Sequence, residues 1–187
     1  FKKEKVLAVE PCKNLSEITK RKGFKTFSNY WDLKLSKKLK SIYGNIDLIY
    51  SANTLTHISN LNIVFKSINN ILSNNGVLII EDPSLLECIK KNSYDQFYNE
   101  HIYLFSAIAV KKLLKKFKLE IFDIKNLATH GGSLRYYIKR KINKKLTISK
   151  NVKKQIFKET TYGLDKFNTY KKFSNNVKKS KISLLNI

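Results

Sequence analysis

A phenol, a carboxylate and an imidazole occur within four residues at Tyr98-Asn99-Glu100-His101, preceded by Asp95-Gln96. Such a cluster can supply a general base that works near neutral pH, an orienting carboxylate and a hydrogen-bond donor for a developing oxyanion. We therefore predict that His101, Tyr98 and Glu100 are catalytic. The alternative is a polar helix turn whose His is satisfied by its neighbours.

A second cluster follows about thirty residues later, at His130-Gly131-Gly132-Ser133-Leu134-Arg135. Paired glycines allow a ligand to approach the backbone closely, and an arginine can pair with a phosphate or a carboxylate. His130, Gly131, Gly132 and Arg135 are therefore predicted to bind substrate. The alternative is a tight hairpin turn.

Three polar residues follow predicted strands and are candidates for binding a nucleotide cofactor. Ligands of open α/β sheets bind beyond the carboxyl ends of the strands. Glu10 ends the first short apolar run, and a carboxylate there can accept both hydrogen bonds of a ribose diol. Asn53 and His57 follow the run 46–50. Glu10 can instead be a surface carboxylate before a proline turn, and His57 a polar residue at the start of a helix.

Short apolar runs alternate with amphipathic segments in the first half of the chain, which predicts strands and helices in alternation. Continuous apolar strands separated by amphipathic helices indicate a parallel sheet covered on both faces. An Asn-Asn-Gly turn is predicted at 74–76, just before the fourth strand. The predicted strands are 6–9, 24–27, 46–50 and 77–80, and the predicted helices are 15–23, 33–42 and 61–72.

The alternation breaks at 85–105, which we interpret as an insertion over the sheet edge. A helix at 107–117 is followed by strands at 119–124 and 134–138, and two strands joined without a helix must be antiparallel. From residue 139 onward the pattern predicts one or two amphipathic helices. Their apolar stripe has no obvious partner in the chain, so we expect them to begin a second domain.

The ordered motifs resemble the sugar-nucleotide C-methyltransferases, the family of the dTDP-hexose 3-C-methyltransferases, over roughly Lys5 to Arg140. The motifs that carry this resemblance are Glu10-Pro11, Asn53-Thr54-Leu55-Thr56-His57-Ile58, Glu81-Asp82-Pro83, Tyr98-Asn99-Glu100-His101 with Leu104-Phe105-Ser106, and His130-Gly131-Gly132-Ser133-Leu134-Arg135.

The resemblance implies a class I, Rossmann-like methyltransferase that uses S-adenosyl-L-methionine to methylate a nucleotide-linked keto sugar through a base-generated enolate. In that reaction His101 matches the general base, and Tyr98 and Glu100 match residues that position the sugar or stabilise the enolate. Glu10 would take the ribose of the cofactor. Zinc is implied only for an N-terminal domain of the parent protein, and no metal site is expected in this chain.

The chain contains no Met and begins at Phe1, so we expect a truncated piece. A missing first strand would leave its two neighbouring strands with unmet backbone hydrogen bonds, so we expect the piece to be poorly soluble by itself. The expected fold is an α/β doubly wound sheet that lacks its first strand, between the strands at Val6 and Ile46, and has an antiparallel edge strand. Residues 1–140 are predicted to form the methyltransferase domain, and residues 141–187 the beginning of a C-terminal domain.

A formal charge of +23 would ordinarily suggest nucleic acid or an anionic membrane surface. The positive residues are almost all Lys spread along the chain, with only three Arg, so we expect neither a specific nucleic acid nor a membrane partner. Cys12 and Cys88 lack metal-ligand spacing and are typical of a reduced, cytoplasmic protein. The alternatives are a methyltransferase for another small molecule and a basic nucleic-acid-binding protein.

Overall fold

The computed structural model describes residues 2–186 and separates into two compact units. The first unit ends at residue 46 and also includes residues 62–71. The second unit comprises residues 47–61 and the chain from residue 72 onward.

The first unit contains a small parallel sheet. Strands β1 (Leu7–Val9) and β2 (Lys25–Phe27) pair in parallel, and helix α1 (Lys13–Arg21) connects them. The pairing extends one residue beyond β1, because the Glu10 amide donates to the Phe27 carbonyl over 3.0 Å. Glu10 is thereby held at the carboxyl end of β1, as the sequence predicts.

Helices α2 (Leu33–Tyr43) and α3 (Leu61–Ile71) supply the buried apolar side chains described in this unit. Asp32 caps α2 by accepting from the Leu35 amide over 2.7 Å. The Lys40 ammonium donates to the Asn70 carbonyl over 2.7 Å and so links the two helices. Buried residues on them are Leu35, Leu39, Val64, Phe65, Ile68 and Ile71.

The second unit is built on a four-stranded sheet with the order β3-β4-β6-β5. Its strands are β3 (Ile46–Ala52), β4 (Leu72–Pro83), β5 (Leu119–Leu127) and β6 (Ser133–Arg140). Strand β6 runs antiparallel to both of its neighbours, as predicted for the last two strands. However, β6 lies inside the sheet and β5 forms the edge, so the antiparallel strand is one position further in than predicted.

Two contacts fix the direction of β3 against β4. Ser73 donates to the Asp47 carboxylate at one end, and the Asn53 amide donates to the Glu81 carbonyl at the other. The residue numbers of the partners increase together along the two strands, so β3 and β4 are parallel. Strands β1 and β3 belong to separate sheets.

The predicted turn at 74–76 is wrong, because β4 already begins at Leu72. The guanidinium group of Arg140 donates to the Leu72 carbonyl over 2.7 Å and to the Ser73 carbonyl over 3.3 Å. These bonds come from a side chain on β6 and hold the stretch after α3 extended. The two carbonyls lie immediately before the predicted turn.

The segment 85–105 leaves the sheet and returns to it at the carboxyl end of β4. Helix α4 (Leu85–Lys91) begins there, and the Leu85 amide donates to the Phe105 carbonyl over 2.9 Å. Ser84 and Phe105 form an isolated β-bridge at the same point. The predicted insertion therefore lies at the tip of an interior strand and not over a lateral edge of the sheet.

Helices α5 (Ala107–Lys115) and α6 (Lys150–Tyr162) lie against each other and against β5. The buried Glu159 carboxylate of α6 accepts from the first two amides of α5, those of Ala107 and Ile108, over 2.9 and 3.0 Å. The expectation that these C-terminal helices lack a partner is therefore wrong for α6. Helix α7 (Phe167–Leu185) has no fully buried residue among those described, but its Tyr170 and Phe173 pack against the buried Leu86, Ile89 and Leu164, so the expectation is wrong for α7 as well.

Because Glu159 satisfies two buried amides, Glu159→Gln places an NH₂ group against one of them. We expect a loss of about 1–3 kcal/mol in the free energy of unfolding, measured by urea denaturation of the full-length protein. The matched control is Asp165→Asn, which removes the same charge from an exposed residue after α6. Equal losses of unfolding free energy in the two variants would show that the negative charge of Glu159, and not its capping of α5, provides the stability.

Candidate active site

The predicted catalytic pair forms a direct hydrogen bond. The Tyr98 hydroxyl lies 2.8 Å from Nε2 of His101, and the two rings are 4.1 Å apart between centroids. The His101 amide donates to the Tyr98 carbonyl over 2.9 Å, a tight turn that brings the side chains together. Tyr98 is 48% exposed and His101 is half-buried, so solutes can reach the pair.

The other ring nitrogen of His101 defines its tautomer. Nδ1 lies 2.8 Å from the Gln96 carbonyl oxygen, which can only accept a hydrogen bond. Nδ1 must therefore carry the hydrogen, and in the neutral ring the lone pair is on Nε2. The Tyr98 hydroxyl then donates to that lone pair. The result is an imidazole nitrogen that can accept a proton once the Tyr98 hydroxyl donates elsewhere.

His57 joins this cluster from a different part of the chain. It lies on the 3-10 turn Leu55–His57 after β3, and its Nδ1 donates to the Glu100 carbonyl over 2.9 Å. The rings of His57 and His101 are 5.0 Å apart between centroids. The residue predicted from sequence on the cofactor side is thus in contact with the predicted catalytic residues. Glu100 itself takes part through its carbonyl, and its side chain is exposed.

Asn53 lies at the tip of β3 in a left-handed backbone conformation, with φ of 49°. Asparagine tolerates this region better than most residues. Its amide donates to the Glu81 carbonyl over 2.7 Å, and the residue is exposed. Asn53 and the turn with His57 therefore occupy the carboxyl end of the parallel strands, where α/β folds bind ligands.

Arg135 forms an ion pair with the largely buried Glu81, which was not predicted from the sequence. Its Nε and Nη2 atoms lie 2.8 and 2.7 Å from one Glu81 oxygen, and the Glu81 side chain is only 9% exposed. The Tyr50 hydroxyl also approaches that oxygen, at 3.4 Å. Arg135 thus already has an anionic partner at the tip of β4. The sequence signal that could have revealed this ion pair is the pair of adjacent acidic residues, Glu81 and Asp82, at the end of a buried strand.

Asp82 is the second acidic residue at this tip, and it is completely buried. Neither of its carboxylate oxygens has a hydrogen bond of normal geometry within residues 2–186. Burial raises the pKa of Asp82 to about 7, and the nearby Glu81 charge adds to the rise. The backbone N–H groups of Thr56 and Thr54 lower it in part. Sequence reasoning assigned this residue no role.

The turn 130–132 between β5 and β6 has the hairpin geometry that was the alternative interpretation. His130 and Gly132 have φ of 52° and 130°. The Ser84 amide donates to the Gly132 carbonyl over 3.0 Å, and Lys91 donates to the Gly131 carbonyl. Among the described residues, these hydrogen bonds connect the turn to α4 and to the end of β4. The predicted substrate contacts of His130, Gly131 and Gly132 stay predictions.

Glu10 belongs to the first unit. One oxygen of its carboxylate accepts from the Cys12 amide over 2.8 Å, and the residue is half-buried. This bond orients the carboxylate at the end of β1, as a ribose-binding role requires. Within residues 2–186, no group of three or more His, Cys, Asp and Glu is arranged to hold a metal, and no helix is long and apolar enough to cross a membrane.

Residues 1–124 match a family model described as a methyltransferase domain. The chain belongs to this methyltransferase family. Residues 128–187 of this methyltransferase also match a model described as a C-methyltransferase C-terminal domain. The resemblance drawn from the sequence motifs is confirmed at the level of the family.

A curated relative and several solved structures are similar to this methyltransferase. The C-methyltransferase NovU of Streptomyces niveus is 25% identical over 130 residues, which cover 70% of this chain and 31% of NovU. The chain therefore spans about a third of that relative's length.

The solved structures share the fold. A S-adenosylmethionine-dependent methyltransferase from Clostridium acetobutylicum has a TM-score of 0.52 at 16% identity, covering 72% of this chain and 74% of that one. Magnesium protoporphyrin IX methyltransferase from Synechocystis, solved with bound SAH, has a TM-score of 0.53 at 13% identity, covering 72% of this chain and 64% of that one. The predicted Rossmann-like methyltransferase fold is confirmed.

The two adjacent glycines of the 130–132 turn are expected to differ in tolerance. A Cβ on Gly132 would lie 2.8 Å from the Cβ and Cγ of Glu87, whereas a Cβ on Gly131 meets nothing within 4 Å. Gly132→Ala should lower the free energy of unfolding by about 1–3 kcal/mol, since it adds a clash to a strained φ. Gly131→Ala, the control, should cost no more than about 1 kcal/mol. Urea denaturation measures both, and a larger loss for Gly131→Ala would contradict this packing.

Proposed function

We propose that this chain is part of an S-adenosylmethionine-dependent C-methyltransferase whose acceptor is a nucleotide-linked keto sugar and whose general base is His101. The observation that supports it best is the Nδ1 hydrogen bond of His101 to the Gln96 carbonyl, which puts the lone pair of the neutral ring on Nε2, beside the Tyr98 hydroxyl. The similarity to NovU and to a C-methyltransferase C-terminal domain supports carbon as the atom that is methylated. A cytoplasmic location belongs to the same proposal.

The residues present fit the proposed cofactor. Glu10 offers a carboxylate oriented at the end of β1, and Asn53 offers an exposed amide at the end of β3. Within the first unit, the Glu10 carboxylate suits a ribose diol, since nucleotide cofactors of α/β folds lie beyond the carboxyl ends of the strands. Within the second unit, Asn53 has the equivalent position on β3 and suits a polar portion of such a ligand. When bound, S-adenosylmethionine supplies an electrophilic methyl group.

His101 accepts the proton in this reaction, and Tyr98 donates a hydrogen bond. A hydrogen on the carbon beside a ketone is acidic because the electron pair left behind delocalises onto the oxygen. Nε2 of His101 takes this proton, and the Tyr98 hydroxyl, which can no longer donate to Nε2, donates to the enolate oxygen instead. With S-adenosylmethionine bound, the enolate carbon would take its methyl group as the sulfur–methyl bond breaks, so that S-adenosylhomocysteine leaves, the ketone re-forms and the proton on His101 passes to solvent. A positioned base contributes typically 10²- to 10⁴-fold to the rate.

His57 and Glu100 hold the pair in place. The His57 imidazole binds the Glu100 carbonyl, one residue before the base, and so fixes the backbone on which His101 lies. Arg135, already paired with Glu81, is proposed to contact the acceptor only with the part of its guanidinium group that the ion pair leaves accessible. His130, Gly131 and Gly132 are proposed to border the acceptor on the turn between β5 and β6.

The domain division is also part of the proposal. Residues 1–140 form the methyltransferase domain, and residues 141–187 begin the C-terminal domain. The sheet supports this, since its last strand, β6, ends at Arg140. The capping of α5 by Glu159 joins the two parts.

The test is transfer of a labelled methyl group by the full-length protein to nucleotide-linked 4-keto sugars. His101→Asn should lower kcat by about 10²- to 10⁴-fold, because it removes the base, while the Kd for S-adenosylmethionine stays within about twofold. Tyr98→Phe should lower kcat by about 10²-fold, because it removes one donor to the enolate oxygen.

Tyr30→Phe is the control for loss of a phenol, since Tyr30 is 79% exposed and lies in the first unit. Full activity of His101→Asn would reject the base. Methylation of an oxygen or nitrogen acceptor, with none on carbon, would reject the proposed acceptor.

A further inference from the structure

A 3-10 turn, Tyr94–Gln96, connects α4 to the residues around His101. The residue before this turn is bound to α4, since the Ser93 amide donates to the Cys88 carbonyl over 2.9 Å and the Cys88 thiol donates to the Ser93 carbonyl over 3.1 Å. The carbonyl of Gln96, the last residue of the turn, accepts the hydrogen bond of His101 Nδ1. The position of this carbonyl therefore decides which nitrogen of His101 carries hydrogen.

Helix α7 contacts this turn from a distant part of the chain. The rings of Phe97 and Phe173 are 5.7 Å apart between centroids, with an angle of 41° between their planes. The Tyr94 hydroxyl lies 3.5 Å from the Ser180 hydroxyl. Gln96 lies between Tyr94 and Phe97 in the sequence, so α7 contacts the chain on both sides of the carbonyl that binds His101.

Phe173 is itself held by the core of the second unit. It packs against a cluster of three buried residues, Leu86, Ile89 and Leu164. The half-buried residues of α7 recur at helical spacing, at positions 170, 173, 177 and 180. Phe173 and Ser180 therefore share one face of the helix. The Phe173 ring connects a buried cluster to Phe97, which is 51% exposed.

We propose that Phe173 is a positioning residue of the active site: its ring holds Phe97 from α7 and so keeps the Gln96 carbonyl on Nδ1 of His101. The inference rests on the proposed function, because it assigns Phe173 to the same site. Phe173 acts without touching a reacting atom. Its effect passes through the tautomer, since Nε2 of the neutral ring has a lone pair for the proton only while Nδ1 carries the hydrogen.

The experiment compares the full-length protein with its Phe173→Ala, Phe97→Ala and Phe167→Ala variants. Phe97→Ala removes the ring contact from its exposed side, so the cluster around Leu86 keeps its packing. Phe167→Ala is the matched control, because Phe167 lies on the same helix and is 73% exposed.

The first two variants should each lower kcat about 5- to 10-fold, since an aromatic pair shifts an equilibrium by about this factor at its strongest. The KM values for S-adenosylmethionine and for the keto sugar should stay within about twofold. Phe167→Ala should leave kcat and both KM values within about twofold.

Two readouts separate positioning from a general loss of structure. The double variant of Phe97→Ala and Phe173→Ala should lose no more kcat than either single variant, because all three lack the same contact. In nitrogen NMR of the neutral imidazole, all three should show a larger share of His101 with hydrogen on Nε2. Phe173→Leu, which keeps an apolar side chain beside Phe97, should restore most of the Nδ1–H form and most of kcat.

Unchanged kcat and an unchanged His101 tautomer in Phe97→Ala would overturn the inference, and this variant answers the question even where Phe173→Ala does not fold. Additive losses in the double variant would also overturn it. So would a raised KM for the keto sugar at unchanged kcat, because Phe97 would then contact the acceptor itself. Failure of the unmodified protein to methylate any keto sugar would reject the proposed function instead, and the His101 tautomer in Phe97→Ala would still decide whether the contact with Phe173 holds the Gln96 carbonyl.

Discussion

The hydrogen bond from Nδ1 of His101 to the Gln96 carbonyl is the interaction on which the account depends. Imidazole has two nitrogens, and only the one without hydrogen can accept a proton. A backbone carbonyl five residues earlier fixes which nitrogen that is, and Tyr98 marks the accessible lone pair. Glu100 supplies a carbonyl for His57 instead of a carboxylate for His101, so the motif works partly through its backbone.

The sheet determines where this hydrogen-bonded pair lies. Strand β4 ends in two acidic residues that point to opposite faces, and the chain leaves the sheet at that point and returns to it at Phe105. The excursion carries Tyr98 and His101, while the loop after the neighbouring β3 carries Asn53 and His57. Two groups of candidate residues are thereby built on adjacent parallel strands, and under the proposal one faces the cofactor and the other the acceptor. On the remaining side, Glu159 fixes α6 to the start of α5, which follows the excursion directly.

Interactions that depend on near neighbours were predictable from the sequence. The six strands, the antiparallel final pair and the Tyr98–His101 cluster follow from apolar periodicity and from residue types within four positions of each other. Interactions between distant residues were not. Arg140 binds the carbonyls at the start of β4, His57 binds the Glu100 carbonyl 43 residues away, and Glu159 caps a helix 52 residues away. The burial of Asp82 was not predictable either, since no pattern of residue types reveals that a carboxylate is buried without a hydrogen-bond partner among residues 2–186.

The most direct measurement is the tautomer of His101 in the full-length protein, read from nitrogen NMR shifts of its imidazole at a pH where the ring is neutral. The account predicts hydrogen on Nδ1 and a bare Nε2. A ring with hydrogen on Nε2 would place the lone pair against the Gln96 carbonyl, and His101 could not then be the base that faces the acceptor.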